Sequence, residues 1–227
     1  MKTFSERELH ELRLAIFDNA EALHKEAKLL LKHGMYSRAY LLAHFCFEEL
    51  GKIPIVVGVI GRLMKGETPD WKKVDKRFYS HEEKIGSQNG HFYAFGLEAD
   101  LIRNSDLEWL SSANKAVEES FKKKNLATYV DARKGRMLVP RKEITEGDAA
   151  KMVELAFECL RAHWRSEKLT NPILYELEDR QNAAEQQVQR DGGASGGGFA
   201  VEISAWQLVE IVRLPHSGCK FCAFVRP

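Results

Sequence analysis

Two short clusters put titratable side chains at helical spacing where chemistry is possible. The first is Glu48-Glu49-Leu50-Gly51-Lys52. Glu48 and Lys52 stand four residues apart, on one helical face and in the favourable Glu-before-Lys order, so the spacing predicts an ion pair between them. Leu41, Leu42, Phe45 and Phe47 precede the segment, and Ile53, Ile55, Val56 and Val57 follow it. A helix that is apolar nearly all round belongs at the centre of a domain. Carboxylates there must be paired, and such pairs tend to mark a site. The plainer alternative is a solvated charge cluster beside a kink.

The second cluster is His81-Glu82-Glu83-Lys84. His81, Lys84, Gln88 and His91 fall at i, i+3, i+7 and i+10, one stripe of a continuous helix. Gly86 and Gln88-Asn89-Gly90 argue for an interruption, with the helix resuming at His91. An imidazole beside a lysine suits proton transfer or phosphate contact; an exposed polar stripe is the competing reading. A third group, Lys122, Lys123 and Lys124, is followed by Tyr129, Arg133, Lys134 and Arg136. It offers a local cationic patch for nucleic acid, or lysines that complement the C-terminal end of a helix dipole.

No metal or cofactor site is expected. A di-metal carboxylate bundle needs two Glu-x-x-His pairs and two further glutamates, and this chain has one such pair, Glu21 and His24, placed near an exposed face. His216, Cys219 and Cys222 give three potential zinc ligands without a second cysteine pair. There is no Walker loop, GxGxxG or GxSxG.

The elements that must position these residues are helical. Ser5 with Glu8 forms a capping box opening a helix whose apolar residues run from Leu9 to Leu31, ended by Gly34 as a left-handed cap. A second helix starts near Ser37 and passes through Glu48, with Pro54 expected to kink it. Thr68 and Pro69 read as the cap and first residue of a third, polar and aromatic, extending to about Gly86. Ser105 with Glu108 is a further capping box. Leu126 to Asp131 and Met137 to Val139 flank the turn-like Arg133-Lys134-Gly135-Arg136 and read as a small hairpin or extended arm. Thr145 caps another helix, and Asn171-Pro172 breaks it before a shorter one. The expected organisation is a helical domain over 1–190, a flexible Gly-rich linker over 191–198, and a tail over 199–227.

Composition narrows the classes. With 34 Lys and Arg against 33 Asp and Glu, the formal charge of +1 provides no bulk attraction to nucleic acid or an anionic membrane. Any such contact must be local. No apolar run reaches the roughly 18 to 20 residues of a membrane span, and the charged N-terminus lacks a signal-peptide apolar region. The expectation is a cytoplasmic protein with no membrane partner.

The residues also resemble a known family. Gly34-Met35-Tyr36-Ser37-Arg38-Ala39 leading to Glu48-Glu49-Leu50-Gly51-Lys52 is similar to the AbiV family of bacterial abortive infection proteins. Ser80-His81-Glu82-Glu83-Lys84 resembles its His-x-x-Lys element. Ala127-Thr128-Tyr129-Val130-Asp131, with Pro140 and Ile144-Thr145, resembles its Tyr-Val-Asp segment. The likeness runs over roughly residues 8 to 165. It implies an all-α, HEPN-like bundle, a homodimer, and a role in phage defence, in which an infected cell arrests growth or translation.

Many HEPN proteins are ribonucleases built on an Arg-x4-6-His motif. Arg38 and His44 have that spacing on the second helix, and Arg103-Asn104 resembles the motif's opening but has Glu108 where histidine is expected. The first expectation is therefore a non-catalytic effector that binds a phage protein or the translation machinery. The alternative is a metal-independent ribonuclease acting on tRNA or other RNA. If it is an enzyme, the catalytic set is Glu48, Glu49, Lys52, His81 and Lys84: Glu48 or Glu49 orients His81, and Lys52 and Lys84 hold phosphate. Tyr129, Asp131, Arg133 and Lys124 are the expected substrate-binding residues.

Overall fold

A computed structural model describes residues 3–98, 117–133 and 135–191. The chain begins with α1 (Glu6–Lys32), whose Ser5/Glu8 capping box forms as the sequence predicts. Gly34, at φ 71°, turns the chain where a side chain would be strained. Then come α2 (Tyr36–Leu50), α3 (Lys52–Met64), α4 (Trp71–Tyr79) and α5 (His81–Glu98). After the undescribed stretch, α6 (Val117–Thr128) leads into an antiparallel hairpin of β1 (Asp131–Arg133) and β2 (Arg136–Leu138). One short turn, α7 (Pro140–Glu143), precedes α8 (Glu146–Thr170) and α9 (Pro172–Asp191). The described chain is an all-α bundle with one small two-stranded arm, and none of its helices is long and apolar enough to cross a membrane. The expected Ser105/Glu108 cap, the linker and the tail with Cys219 and Cys222 lie outside the described residues.

Several boundaries differ from expectation for physical reasons. The second helix is not kinked at Pro54; the chain breaks at Gly51 instead. Pro54 falls in the first turn of α3, where its missing N–H would have had no intrahelical partner anyway. Asp70, not Thr68, caps α4, its side chain accepting from the Lys73 amide. That helix ends at Tyr79 rather than near Gly86. Conversely, α5 runs unbroken through Gly86 and Gly90, because tertiary burial of Ile85, Gln88 and Phe92 outweighs weak local propensity.

The bundle is organised around α2, which packs against α1 on one side and α8 on another, with α5 and α6 closing over its remaining faces. Leu50, Ile53, Ala43 and Cys46 are fully buried there. A second buried polar layer links α1 to α8. Arg13, 2% exposed, donates to Glu167 Oε1 at 2.8 Å and to Thr170. Beside it His163 contacts Gln88 at 2.7 Å, and the His91 and His163 rings stack 3.6 Å apart.

Gly51 has a specific structural duty. A Cβ there would stand 2.0 Å from the Lys84 carbonyl oxygen, so only glycine lets the first turn of α5 press onto the α2–α3 junction. Gly58 and Gly61 meet nothing within 4 Å, and no close approach explains them.

Two outcomes follow from this packing. Gly51→Ala should lower the unfolding free energy by about 2 kcal/mol or more through forced backbone displacement. Gly58→Ala in the exposed α3 interior should be neutral or stabilising by roughly 0.5–1 kcal/mol. Urea midpoints of the pair check this, and equal effects would contradict it. Burial pushes His24 down to about 4 and His91 down to about 3, with His163 also well below its ordinary value. The unfolded chain binds protons on these imidazoles below about 6.5 while the folded one does not. Stability should hold above that pH and fall as it drops towards 4; His24→Gln should flatten the slope of midpoint against pH.

Candidate functional site

The site gathers on one buried carboxylate. Glu48 lies in the last turn of α2 and is 3% exposed. His81 and Lys84 are one helical turn apart at the start of α5, so both side chains face the same point. The close approach at Gly51 carries that turn onto the end of α2. His81 Nδ1 is 2.6 Å and Lys84 Nζ 3.1 Å from Glu48 Oε2. From α6, Lys124 donates to Glu48 Oε1 at 3.0 Å. His44, one turn back on α2, puts Nδ1 3.2 Å from the same oxygen without an aligned hydrogen bond. Its Nε2 meets Ser120 Oγ at 2.8 Å.

The electrostatics follow from this ring of donors. Burial alone would raise the Glu48 pKa, but the surrounding His44, Lys124 and His81 outweigh it and hold the carboxyl well below its usual range. Glu48 is therefore an anion at neutral pH. His44 is shifted the other way: burial, the largest influence, lowers its pKa and keeps it neutral. Lys124 Nζ is also 3.2 Å from His81 Nδ1. The shorter contact to an anionic acceptor decides the tautomer, with Nδ1–H donating to Glu48. The remaining nitrogen, Nε2, then carries the lone pair. The His81 side chain is 44% exposed, so this nitrogen is the one that can meet a substrate.

The expected site residues are only partly brought together. Glu48, His81 and Lys84 converge. The expected Glu48–Lys52 pair does not form, because the helix ends between them: Lys52 opens α3 and its Nζ bonds Glu49 at 2.7 Å. Lys52 nevertheless lines the same cavity as His81 and Lys84. Lys124, expected on a cationic patch, is 6% exposed and committed to Glu48. It lies in the interior of α6, which continues to Thr128, so the three lysines do not cap a helix end. Lys123 pairs with Asp148 and Lys122 with Glu119. Tyr129 is exposed, and Asp131 pairs with Arg133 on the arm. Among the described residues no hydrogen bond or ion pair ties these three to Glu48.

Other candidate constellations dissolve. Lys84, Gln88 and His91 are buried, which excludes the exposed polar stripe. Arg38 is exposed while His44 is fully buried, so the Arg-x5-His spacing does not make a shared site. Arg103, Asn104 and Glu108 lie outside the described residues. Glu21 and His24 are buried rather than near an exposed face. Glu21 pairs with Lys25, and His24 stacks on Phe157. No metal-holding group of His, Cys, Asp and Glu occurs among the described residues. Sequence reasoning missed Ser120 and Gly51 as supports of the cluster, since neither carries a local signal for its long-range contact.

A family model, HEPN_AbiV, described as AbiV, matches residues 8–161. That span contains Glu48 and every residue found around it. No match was found among curated proteins or among solved structures.

Removing the central charge should expose its role. Glu48→Gln leaves Lys84 and Lys124 buried without their anion, at a cost of roughly 3–5 kcal/mol at pH 7. Because the folded pKa of Glu48 is depressed, its stabilisation is present above about 4.5 and is lost as pH falls below that value. Chemical denaturation of wild type and variant should show a gap that narrows on acidification. A gap independent of pH would contradict the ionised state assigned to Glu48.

Proposed function

Because the chain belongs to the AbiV family, with its HEPN-like fold, we propose that it is an abortive-infection effector of phage defence that attacks RNA. The observation that carries the catalytic part is the 2.6 Å contact between His81 Nδ1 and Glu48 Oε2, which aims an imidazole with a free lone pair outward. Lys52 and Lys84 line the cavity beside that imidazole. A metal-independent ribonuclease needs a base near neutrality and cations for the phosphate. Here His81 Nε2 takes the proton of a 2′-hydroxyl as its oxygen attacks the adjoining phosphorus. Lys84 and Lys52 balance the charge that grows on the phosphate oxygens. The bond to the 5′-oxygen breaks, and solvent protonates the leaving group. Glu48 holds the ring in place and stabilises its charged form; Glu49 acts only by holding Lys52. Arresting translation by cutting RNA fits a growth-arrest role, and tRNA is a natural target.

A second reading is a non-catalytic effector that binds a phage protein or clamps the translation machinery. It is favoured by the failure of Arg38 and His44 to converge, since the HEPN nuclease motif then has no counterpart among the described residues. The exposed arm, with Tyr129, Val130 and Met137 at 65–69% exposure, would be its contact surface. In both readings the protein acts in the cytoplasm as a homodimer.

Purified protein, with its mass in solution measured by sedimentation, should cut total cellular RNA into discrete fragments without added metal. His81→Ala should lower the rate by about 100-fold or more while leaving the circular dichroism spectrum unchanged. Lys52→Ala should act in the same direction but less. Intact RNA together with blocked in vitro translation would replace the enzyme by the clamp.

A further inference from the structure

The cavity beside the Glu48 cluster has more walls than phosphate binding requires. It encloses about 550 Å³ between the start of α1, α3, the length of α4 and the first turn of α5, within the range of roughly 300 to 1,000 Å³ typical of small-molecule sites. Its chemistry is divided. Val56 and Val59 of α3 face Trp71 and Phe78 of α4 to make an apolar body. Lys52, His81 and Lys84 gather where that body meets the Glu48 cluster. One carboxylate, Asp75, is set into the otherwise apolar α4 wall. Tyr79, 78% exposed, stands at the rim.

We propose that this cavity holds the unpaired base of an RNA substrate, selecting a base with an exocyclic amino group, while the attached phosphate meets Lys52, His81 and Lys84. The inference rests on the RNA-directed reading above and adds a substrate class to it: single-stranded or looped RNA cut next to guanine, adenine or cytosine. Two features favour this occupant over an acyl chain bearing a carboxylate, which would also suit an apolar body with a cationic end. Aromatic rings on one wall give a base a stacking surface. An acyl chain offers no donor to Asp75, which lines the cavity, whereas an amino group on a base edge can donate to it. Uracil, whose one edge donor is an N3–H flanked by two carbonyl oxygens that repel a carboxylate, is disfavoured.

The site also accounts for placements that catalysis alone does not explain. Lys52 is held by Glu49 at the edge of the cavity instead of by Glu48 at its base, so one lysine serves the entrance and another the imidazole. Phe4, ahead of α1, lines the cavity too and meets Trp71 with ring centroids 6.0 Å apart, steadying the α4 wall.

The test is calorimetric titration of the full chain with guanosine 3′-monophosphate, uridine 3′-monophosphate, inorganic phosphate and dodecanoate. The guanosine nucleotide should bind at least ten-fold more tightly than inorganic phosphate and several-fold more tightly than the uridine nucleotide. Asp75→Asn should erase the difference between the nucleotides, and Trp71→Phe should weaken both while leaving phosphate binding unchanged. Equal affinity for nucleotides and inorganic phosphate would overturn the base pocket and leave the ribonuclease reading standing. Binding of dodecanoate without either nucleotide would overturn both. Nucleotide binding with the predicted preference, in a protein whose RNA cleavage survives His81→Ala, would keep the pocket and remove His81 from the chemistry.

Discussion

An ionised carboxylate taken out of water has to find its hydration replaced by donors from the protein. Glu48 meets that condition with polar groups from three helices: His44 beside it on its own helix, and donors from His81 and Lys84 on α5 and Lys124 on α6. No single helix could supply them. The anion therefore fixes how the end of α2, the beginning of α5 and the middle of α6 lie against one another. Gly51 is the steric half of the same arrangement, since the donors reach Glu48 only because the Lys84 backbone can lie against a residue without a side chain. Breaking the helix at Gly51 also separates the two glutamates, leaving Glu48 inside the bundle and Glu49 with Lys52 at its edge.

A second buried ionic layer, Arg13 with Glu167, performs a comparable task between α1 and α8. It differs in having no opening. Arg13 and Glu167 are 2% and 0% exposed at their side chains, and the adjoining His163, Gln88 and Asn171 are all fully buried. That layer is structural, and the contrast identifies what is special about the Glu48 cluster. One of its members, His81, keeps a face towards solvent and a cavity.

Local signals were readable along the chain. Ser5 with Glu8, Thr145, Gly34 and Pro172 each act within a few residues, and each marks its boundary in the sequence. The apolar flanks of Glu48 also gave away its burial, because a charge between Phe47 and Leu50 has few ways to reach water. What spacing could not provide was the partner. Helical periodicity paired Glu48 with Lys52, which required an unbroken helix, and the break depends on α5, a distant element. Lys124 looked like part of a cationic run because three successive lysines do not reveal which one turns inward. The continuity of α5 through Gly86 and Gly90 was hidden for the same reason: burial against α2, α3 and α8 decides it, not propensity.

The separations within the cluster have a consequence for when the site exists at all. Glu48 is 33 residues from His81 and 76 from Lys124, while the Arg13–Glu167 pair that secures the surrounding bundle spans 154 residues. Loop closure over such distances costs entropy that is recovered only when the enclosed helices pack. During synthesis, a ribosome that has released α2 but not α8 carries a chain with an unmatched carboxylate and an open α1–α2 face. The oriented imidazole is thus a property of the completed domain, and an unfinished chain can hold Glu48 and His81 without the arrangement that joins them.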